Sequence, residues 1–424
     1  MATDEYIEDV FVVNRWILRC AGLWFPDSKS KLIQIPYKIY AVVVFLFVNV
    51  YFTSTEFLSL FYTYKNLYDF IKNVNFFLTH FMGAVKVTFW FFKGHVLRRL
   101  MATLESPEFH YEGCEDFAPA EIWAKYRKIG FKYTLGFLML AHMTLSSSYL
   151  PPLITATFSP PPYGNGSASP FYHRLPYFSW MPFTHLTPGA YLLALGYQAG
   201  PMFSYAYSIV GMDTLFMNIM NFIAAHLTIL QGAFMTNKSR VEGGEEDALV
   251  VRTRMNHEMK KNCRHLQTVL SVCEDLENVH RFLTLGQATA TLFILCTCLY
   301  LISTTPADSK QFYAEMVYMV AMGFQLYLYC WFGNEVTLQA SEMPTYIWKA
   351  DWFDCDHSFK KNMIFTMTRM KKPIYMTVGK FAPLTLQTFV TVSVLTCGTS
   401  AIRELFQIIK TSYSIFAVIK NTSI

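Results

Sequence analysis

Residues 189–235 read GAYLLALGYQAGPMFSYAYSIVGMDTLFMNIMNFIAAHLTILQGAFM, and the fold class turns on them. The first part, 189–214, is apolar and long enough to cross roughly 30 Å of hydrocarbon as a helix. The helical pattern does not stop there but runs on to Phe234 and Met235. One continuous helix of about 47 residues measures roughly 70 Å, more than twice the hydrocarbon thickness, so part of it must stand in water. Composition extends this reading to the whole chain of 424 residues, of which 53% are hydrophobic, 17% aromatic and 15% charged. Soluble domains carry about a quarter charged residues. With a mean hydropathy of +0.25, disordered chains, coiled coils and ordinary soluble enzymes are excluded. The net charge of +5 is a mild excess spread along the chain, and without a basic stripe or a nucleic-acid module no nucleic-acid partner is expected.

Working outward from this stretch, seven apolar runs are long enough to span, near 37–61, 67–92, 129–154, 189–214, 282–304, 312–336 and 375–399. Lys72, Lys86 and Asp213 interrupt them; Lys72, Lys86 and Lys132 are read as structural residues close enough to span ends to snorkel. The opening MATDEYIEDV has acids where a signal peptide has a basic region, so the first span is expected to act as its own anchor. The N-terminal segment and the even-numbered connections hold 24 basic residues, against three (Lys65, Arg174 and Lys310) in the odd-numbered connections. Positive charge stays on the cytoplasmic side, which predicts an all-α polytopic membrane protein with seven transmembrane helices, a cytoplasmic N-terminus and an extracellular C-terminus. A G-protein-coupled receptor has the opposite orientation and is disfavoured. Segments follow: a cytoplasmic start (1–36), four helices (37–235) with an extracellular loop at 155–188, a cytoplasmic connection (236–281), two helices (282–336), cytoplasmic anchor helices (337–374) bounded by Pro344 and Pro373, and a seventh helix with an extracellular end (375–424).

The extracellular loop carries Asn165-Gly166-Ser167 in a Pro/Gly/Ser-rich run, which makes Asn165 a glycosylation candidate. Apolar residues at helical spacing in the extensions (Phe216, Met220, Ile223, Leu227; then Trp348, Trp352, Phe359, Met363) need a partner surface in water, expected between subunits. No phosphate loop, dinucleotide fingerprint or nucleophile elbow is present, so neither enzyme activity nor a cofactor is expected. Cys263, His265, Cys273 and His280 are zinc-type ligands at a spacing that matches no common finger, and are read as a solvated helix. Ligand-binding candidates come from the outer halves of the second, third, fourth and sixth spans. They are Phe76, Phe77 and His80; His142, Ser146 and Tyr149 on one helical face; Tyr191, Tyr197 and Phe203; and Tyr313, Met316 and Met319. Aromatic faces with a few hydroxyls and polarisable sulfur suit a small volatile ester, alcohol or aromatic.

The run Tyr329-Cys330-Trp331-Phe332-Gly333-Asn334-Glu335, then Lys372-Pro373-Ile374, Gly379-Lys380-Phe381, Pro383-Leu384-Thr385-Leu386-Gln387-Thr388-Phe389 and Thr411-Ser412-Tyr413-Ser414-Ile415-Phe416 closely resembles insect odorant receptors. Length, seven spans and inverted topology agree. The chain resembles a tuning receptor rather than the shared co-receptor, which has a longer second cytoplasmic connection. The resemblance implies an odorant-gated cation channel of four subunits, assembled with olfactory co-receptor subunits in the plasma membrane of sensory neuron dendrites, in contact with membrane lipid and passing permeant cations. It implies that seventh helices line the pore and cytoplasmic extensions interlock, and it assigns the gate to Val418 and Asn421. One departure is the long separation of Phe389 from Thr411: either the helix breaks near Gly398 or an insertion is present. A gustatory-type channel independent of the co-receptor and a secondary transporter are the rivals.

Overall fold

The computed structural model describes residues 10–26, 30–114, 117–159, 174–241, 247–372 and 374–397, the last five of these by backbone alone. Asn165, Val418, Asn421, Pro373 and Gly398 lie outside the described residues. A short helix α1 (Val12–Cys20) precedes a rod of α2 (Lys31–Val44), a π-helical stretch Phe45–Phe52 and α3 (Thr53–Thr63). There follow α4 (Leu67–Leu104), α5 (Pro119–Phe158), α6 (Pro188–Met235), α7 (Ala248–Thr304), α8 (Lys310–Trp348) and α9 (His357–Met370). A two-residue pair of antiparallel strands, β1 (Thr377–Val378) and β2 (Ala382–Pro383), leads into α10 (Leu386–Cys397). The Lys31–Thr63 rod, α6, α7 and α8 are long and apolar enough to cross a membrane. At 38 and 40 residues, α4 and α5 also exceed the roughly 20 that a bilayer requires.

Local chemistry sets the helix starts. Asn66, Thr187, Asp247, Ser309 and Asp356 accept hydrogen bonds from backbone N–H groups of the first turns of α4, α6, α7, α8 and α9. Pro188 adds a fixed φ at the first position of α6, where no donor is lost. The continuous helix expected through residue 235 is present. It forms the central pillar: 94% of its most apolar window is buried, as an all-round apolar sequence demands.

Three boundaries differ from the sequence reading. Within the connection expected at 236–281, α7 begins at Ala248 and runs 57 residues, roughly 85 Å, because Asp247 caps it and nothing breaks it. Pro344 lies inside α8 rather than ending it. The seventh span begins at Leu386 instead of 375, since Gly379 and Lys380 take positive φ (59° and 68°) to turn the chain between β1 and β2. Lys86, expected to snorkel, is buried.

Below the membrane-length portions the helices continue as one packed unit. Phe216, Met220, Ile223 and Leu227, for which a neighbouring subunit was expected, are buried within the chain itself, as are Phe359 and Met363. Full burial of each such side chain from water is worth about 2–3 kcal/mol. Trp348 remains exposed, together with Phe353, Ile364 and Phe365. Asn14 of α1 donates to Thr214 (3.0 Å) and accepts from Asn218 (2.8 Å), docking α1 on α6. Deeper still, Tyr111, His265 and His226 form a chain whose donors can be assigned. His226 Nε2 donates to the Leu104 carbonyl (3.0 Å), so its Nδ1 accepts from His265 Nε2 (2.9 Å). His265 Nδ1 then accepts from the Tyr111 hydroxyl (3.0 Å). Burial pushes His226 down to about 4 against the opposing pull of the Leu104 carbonyl. Burial, then His226 and Lys261, hold His265 well below the ordinary imidazole range.

Candidate functional site

Toward the end of the bundle bearing the 64–66, 174–187 and 305–309 connections, α4, α5, α6, α7 and α8 separate around a cavity of about 100 Å³. That is several times the space one water needs. Each helix turns one face inward. From α4 come Phe76, Thr79, His80 and Lys86; from α5, Phe137, Ala141, Thr144 and Leu145; from α6, Met202, Tyr205, Ala206 and Ile209. From α7 come Gln287, Ala290 and Ile294, and from α8, Tyr318, Ala321, Met322 and Gln325. The lining is mostly apolar with a few convergent polar groups, the composition of a small-molecule site.

Aromatic rings close the cavity on the loop side. Phe76 meets Tyr177 at 4.5 Å edge-on and Tyr318 at 5.0 Å, and Tyr318 shares a 2.6 Å hydrogen bond with Thr79. Tyr177 also borders a larger, more polar vestibule of about 700 Å³ that reaches Trp180, Arg174 and Lys72. At one side the His80 ring stacks on Tyr205 at 4.3 Å, while its Nδ1 sits 2.7 Å from the buried Glu56 carboxylate. The Tyr205 hydroxyl donates to the Val48 carbonyl (2.7 Å), a group within the π-helical stretch, and also contacts Thr53. The irregular backbone at Phe45–Phe52 is thereby tied to the cavity wall.

The floor is ionic. Lys86 Nζ lies 2.6 Å from Asp213 Oδ1, with both residues 1% exposed. Tyr329 donates to the same oxygen at 2.8 Å, and Gln325 donates to Asp213 Oδ2. A buried pair holds its charges only where hydrogen bonds occupy the remaining lone pairs, and Tyr329 and Gln325 meet that need. Beneath it a void of about 10 Å³ shares Gln287 and Gln325 with the cavity and reaches Val378 and Leu384. The cavity floor is thus continuous with the strand pair that leads into α10.

Of the residues expected to bind ligand, Phe76 and His80 line the cavity. Phe77 faces away, against Phe57 and Phe81. His142 bonds its own helix at the Leu138 carbonyl (2.8 Å) and touches Phe203 and Tyr207; Ser146 is half-buried beside this face. Tyr149 stands one layer back, its ring 5.4 Å from Tyr177. Tyr191 donates to the Arg174 carbonyl (2.9 Å), Tyr197 packs on Phe47 and Phe52, Tyr313 is exposed, and Met316 and Met319 are half-buried. On α5 the face toward this cavity is Phe137, Ala141, Thr144 and Leu145, offset from His142, Ser146 and Tyr149, and His142 satisfies itself on its own helix. Lys86, Gln287, Gln325, Tyr205 and Tyr318 were missed. Opposite charges inside two spans, Lys86 and Asp213, were the available signal, since such groups pair across helices.

A family model described as 7tm Odorant receptor matches residues 66–396. Among curated relatives, Odorant receptor 94a of Drosophila melanogaster is 21% identical over 220 residues, covering 51% of this chain and 54% of its own length. Odorant receptor 46a, isoform A, from the same fly is 21% identical over 287 residues, covering 65% and 66%. Odorant receptor Or2 of Anopheles gambiae is 26% identical over 136 residues, covering 31% and 35%. The chain thus spans about half the length of the curated relatives it matches. In fold it is similar to the olfactory receptor OR5 of Machilis hrabei, with a TM-score of 0.71 at 15% identity over 95% of this chain and 100% of that one. The same receptor in complex with eugenol gives a TM-score of 0.73. With the motifs, the helical order and the family match in agreement, the chain belongs to the insect seven-helix odorant receptor family.

Proposed function

We propose that the chain is a tuning subunit that binds small volatile, apolar or weakly polar odorants in the cavity between α4, α5, α6, α7 and α8 and gates a cation channel with olfactory co-receptor subunits in a tetramer. The observation that carries this reading is the cavity itself, apolar within and joined through Gln287 and Gln325 to the strand pair before α10. Odorant binding in the Machilis hrabei receptor, as eugenol, supports it by analogy of fold. The even-numbered connections face the cytoplasm of the sensory dendrite in this reading, the cavity opens outward, and Asn165 is glycosylated. In this reading Val418 and Asn421 are this chain's contribution to the pore gate, which closes by dewetting. Ligand shifts the population toward the open state only through a difference in affinity between closed and open cavities.

The test is whole-cell current in response to an odorant panel, with and without an insect olfactory co-receptor, for the wild type and for Ala206→Phe, which fills the cavity. The proposal requires odorant-evoked cation current that needs the co-receptor and is lost in Ala206→Phe at normal surface expression. Current without a co-receptor favours the gustatory-type reading, and responses untouched by Ala206→Phe contradict the site.

A further inference from the structure

We propose that the cavity selects ligands carrying a hydrogen-bond donor, an alcohol or phenol hydroxyl on an apolar frame, through the side-chain carbonyl of Gln287. This rests on the reading of the cavity as the odorant site. Asp213 accepts from Lys86 and Tyr329 on Oδ1, and from Gln325 Nε2 on Oδ2. The carboxylate fixes the Gln325 amide, because the reversed amide would set its oxygen against a carboxylate oxygen. Gln325 Oε1 is therefore an acceptor, and it takes a hydrogen bond from Gln287 Nε2 at 3.0 Å. Gln287 Nε2 donates its second proton to Thr291 Oγ1 at 2.9 Å. Reversing Gln287 would face its oxygen to that of Gln325, so this amide is fixed as well.

Both Gln287 protons are consumed, while its Oε1 is buried without a hydrogen-bond partner among the described residues. The residue is only 6% exposed and lines the cavity. This oxygen is already out of reach of water, so it gains a hydrogen bond only from a ligand that reaches it. One with a donor satisfies it; an ether, ester or hydrocarbon of the same shape leaves it bare. Lys86 also lines the cavity, and among the described residues its ion-pair partner is Asp213. A hydroxyl can accept from an ammonium while donating to an amide oxygen, so of the oxygenated groups it suits this floor best.

The test uses the full chain expressed with an insect olfactory co-receptor, and concentration–response curves for alkanols and alkylphenols against their methyl ethers. In the wild type the hydroxyl compounds are expected to be about tenfold or more the more potent, the worth of one buried hydrogen bond. Gln287→Met, similar in length but without the acceptor, is expected to collapse that ratio whatever shift in potency both members of a pair share, and a remaining response to the ethers reports a folded channel. Equal potency in the wild type, a response confined to compounds without a hydroxyl, or an unchanged ratio in Gln287→Met overturns the inference. Should Gln287→Met fail to reach the surface, Gln287→Leu replaces it, and the wild-type ratio decides on its own. Ala206→Phe separates the two levels. If it silences both members of each pair while Gln287→Met leaves their ratio intact, only the hydroxyl selection falls; if it silences neither, the cavity reading itself falls.

Discussion

Buried polar side chains in this chain come in sets whose members depend on one another, and removing one leaves another stranded. Lys86→Met leaves the Asp213 carboxylate without its cation, at a cost of about 3–5 kcal/mol. Surface expression and thermal unfolding in detergent should both drop sharply, and the double variant Lys86→Met, Asp213→Asn should recover part of the loss. A single variant as stable as the wild type would mean that the pair is not held as described. His226 offers a pH test. Its folded proton affinity sits near 4, below the ordinary 6.5. Above 6.5 both folded and unfolded chains keep it neutral, and its contribution is complete. As pH falls from 6.5 toward 4 the unfolded chain takes up a proton that the folded chain refuses. Stability therefore declines over that window, by on the order of 3 kcal/mol, and levels off below it. Unfolding temperatures measured across this range should fall less steeply for His226→Gln than for the wild type; identical slopes would remove His226 as the cause.

At the level of elements, the approach of α8 to the β2 segment matters most for coupling. A Cβ added at Gly333 would lie 2.7 Å from the Leu384 side chain and from its backbone oxygen, so only glycine lets α8 touch this residue, two positions before α10 begins. Gly333→Ala should push α8 and the strand pair apart, reducing maximal current while leaving odorant potency within about threefold; unchanged maximal current would rule out this contact as part of the coupling. The same glycine sits inside the Trp331-Phe332-Gly333-Asn334 motif that was legible from the residues alone. Helix order and the continuation of α6 past membrane length were legible too, because apolar length and helical continuity are carried by local sequence. The cavity was not. Which stripe of α5 or α8 faces inward depends on the rotation of each helix in the bundle, set by long-range packing such as Tyr329 and Gln325 on Asp213. The α7 contribution escaped because Gln287 and Thr291 read as ordinary polar residues until the helices beside them are in place.

For the molecule as a whole, the chemistry divides into two ends: an apolar cavity with its vestibule at one, and the histidine chain with most of the basic residues at the other. The exposed Trp348, Phe353, Ile364 and Phe365 lie at the second end, where packing against neighbouring subunits is proposed. Replacing Phe353 and Phe365 by Ser should weaken co-assembly, read as a lower yield of co-purified co-receptor, with the cavity unaffected. Odorant access to the cavity requires that the cavity end face the outside. Antibody access to N- and C-terminal epitope tags on intact and permeabilised cells measures this without any knowledge of the ligand. The account predicts that the C-terminal tag labels on intact cells and the N-terminal tag only after permeabilisation. The reverse pattern would place the cavity in the cytoplasm and contradict the odorant-gated channel mechanism.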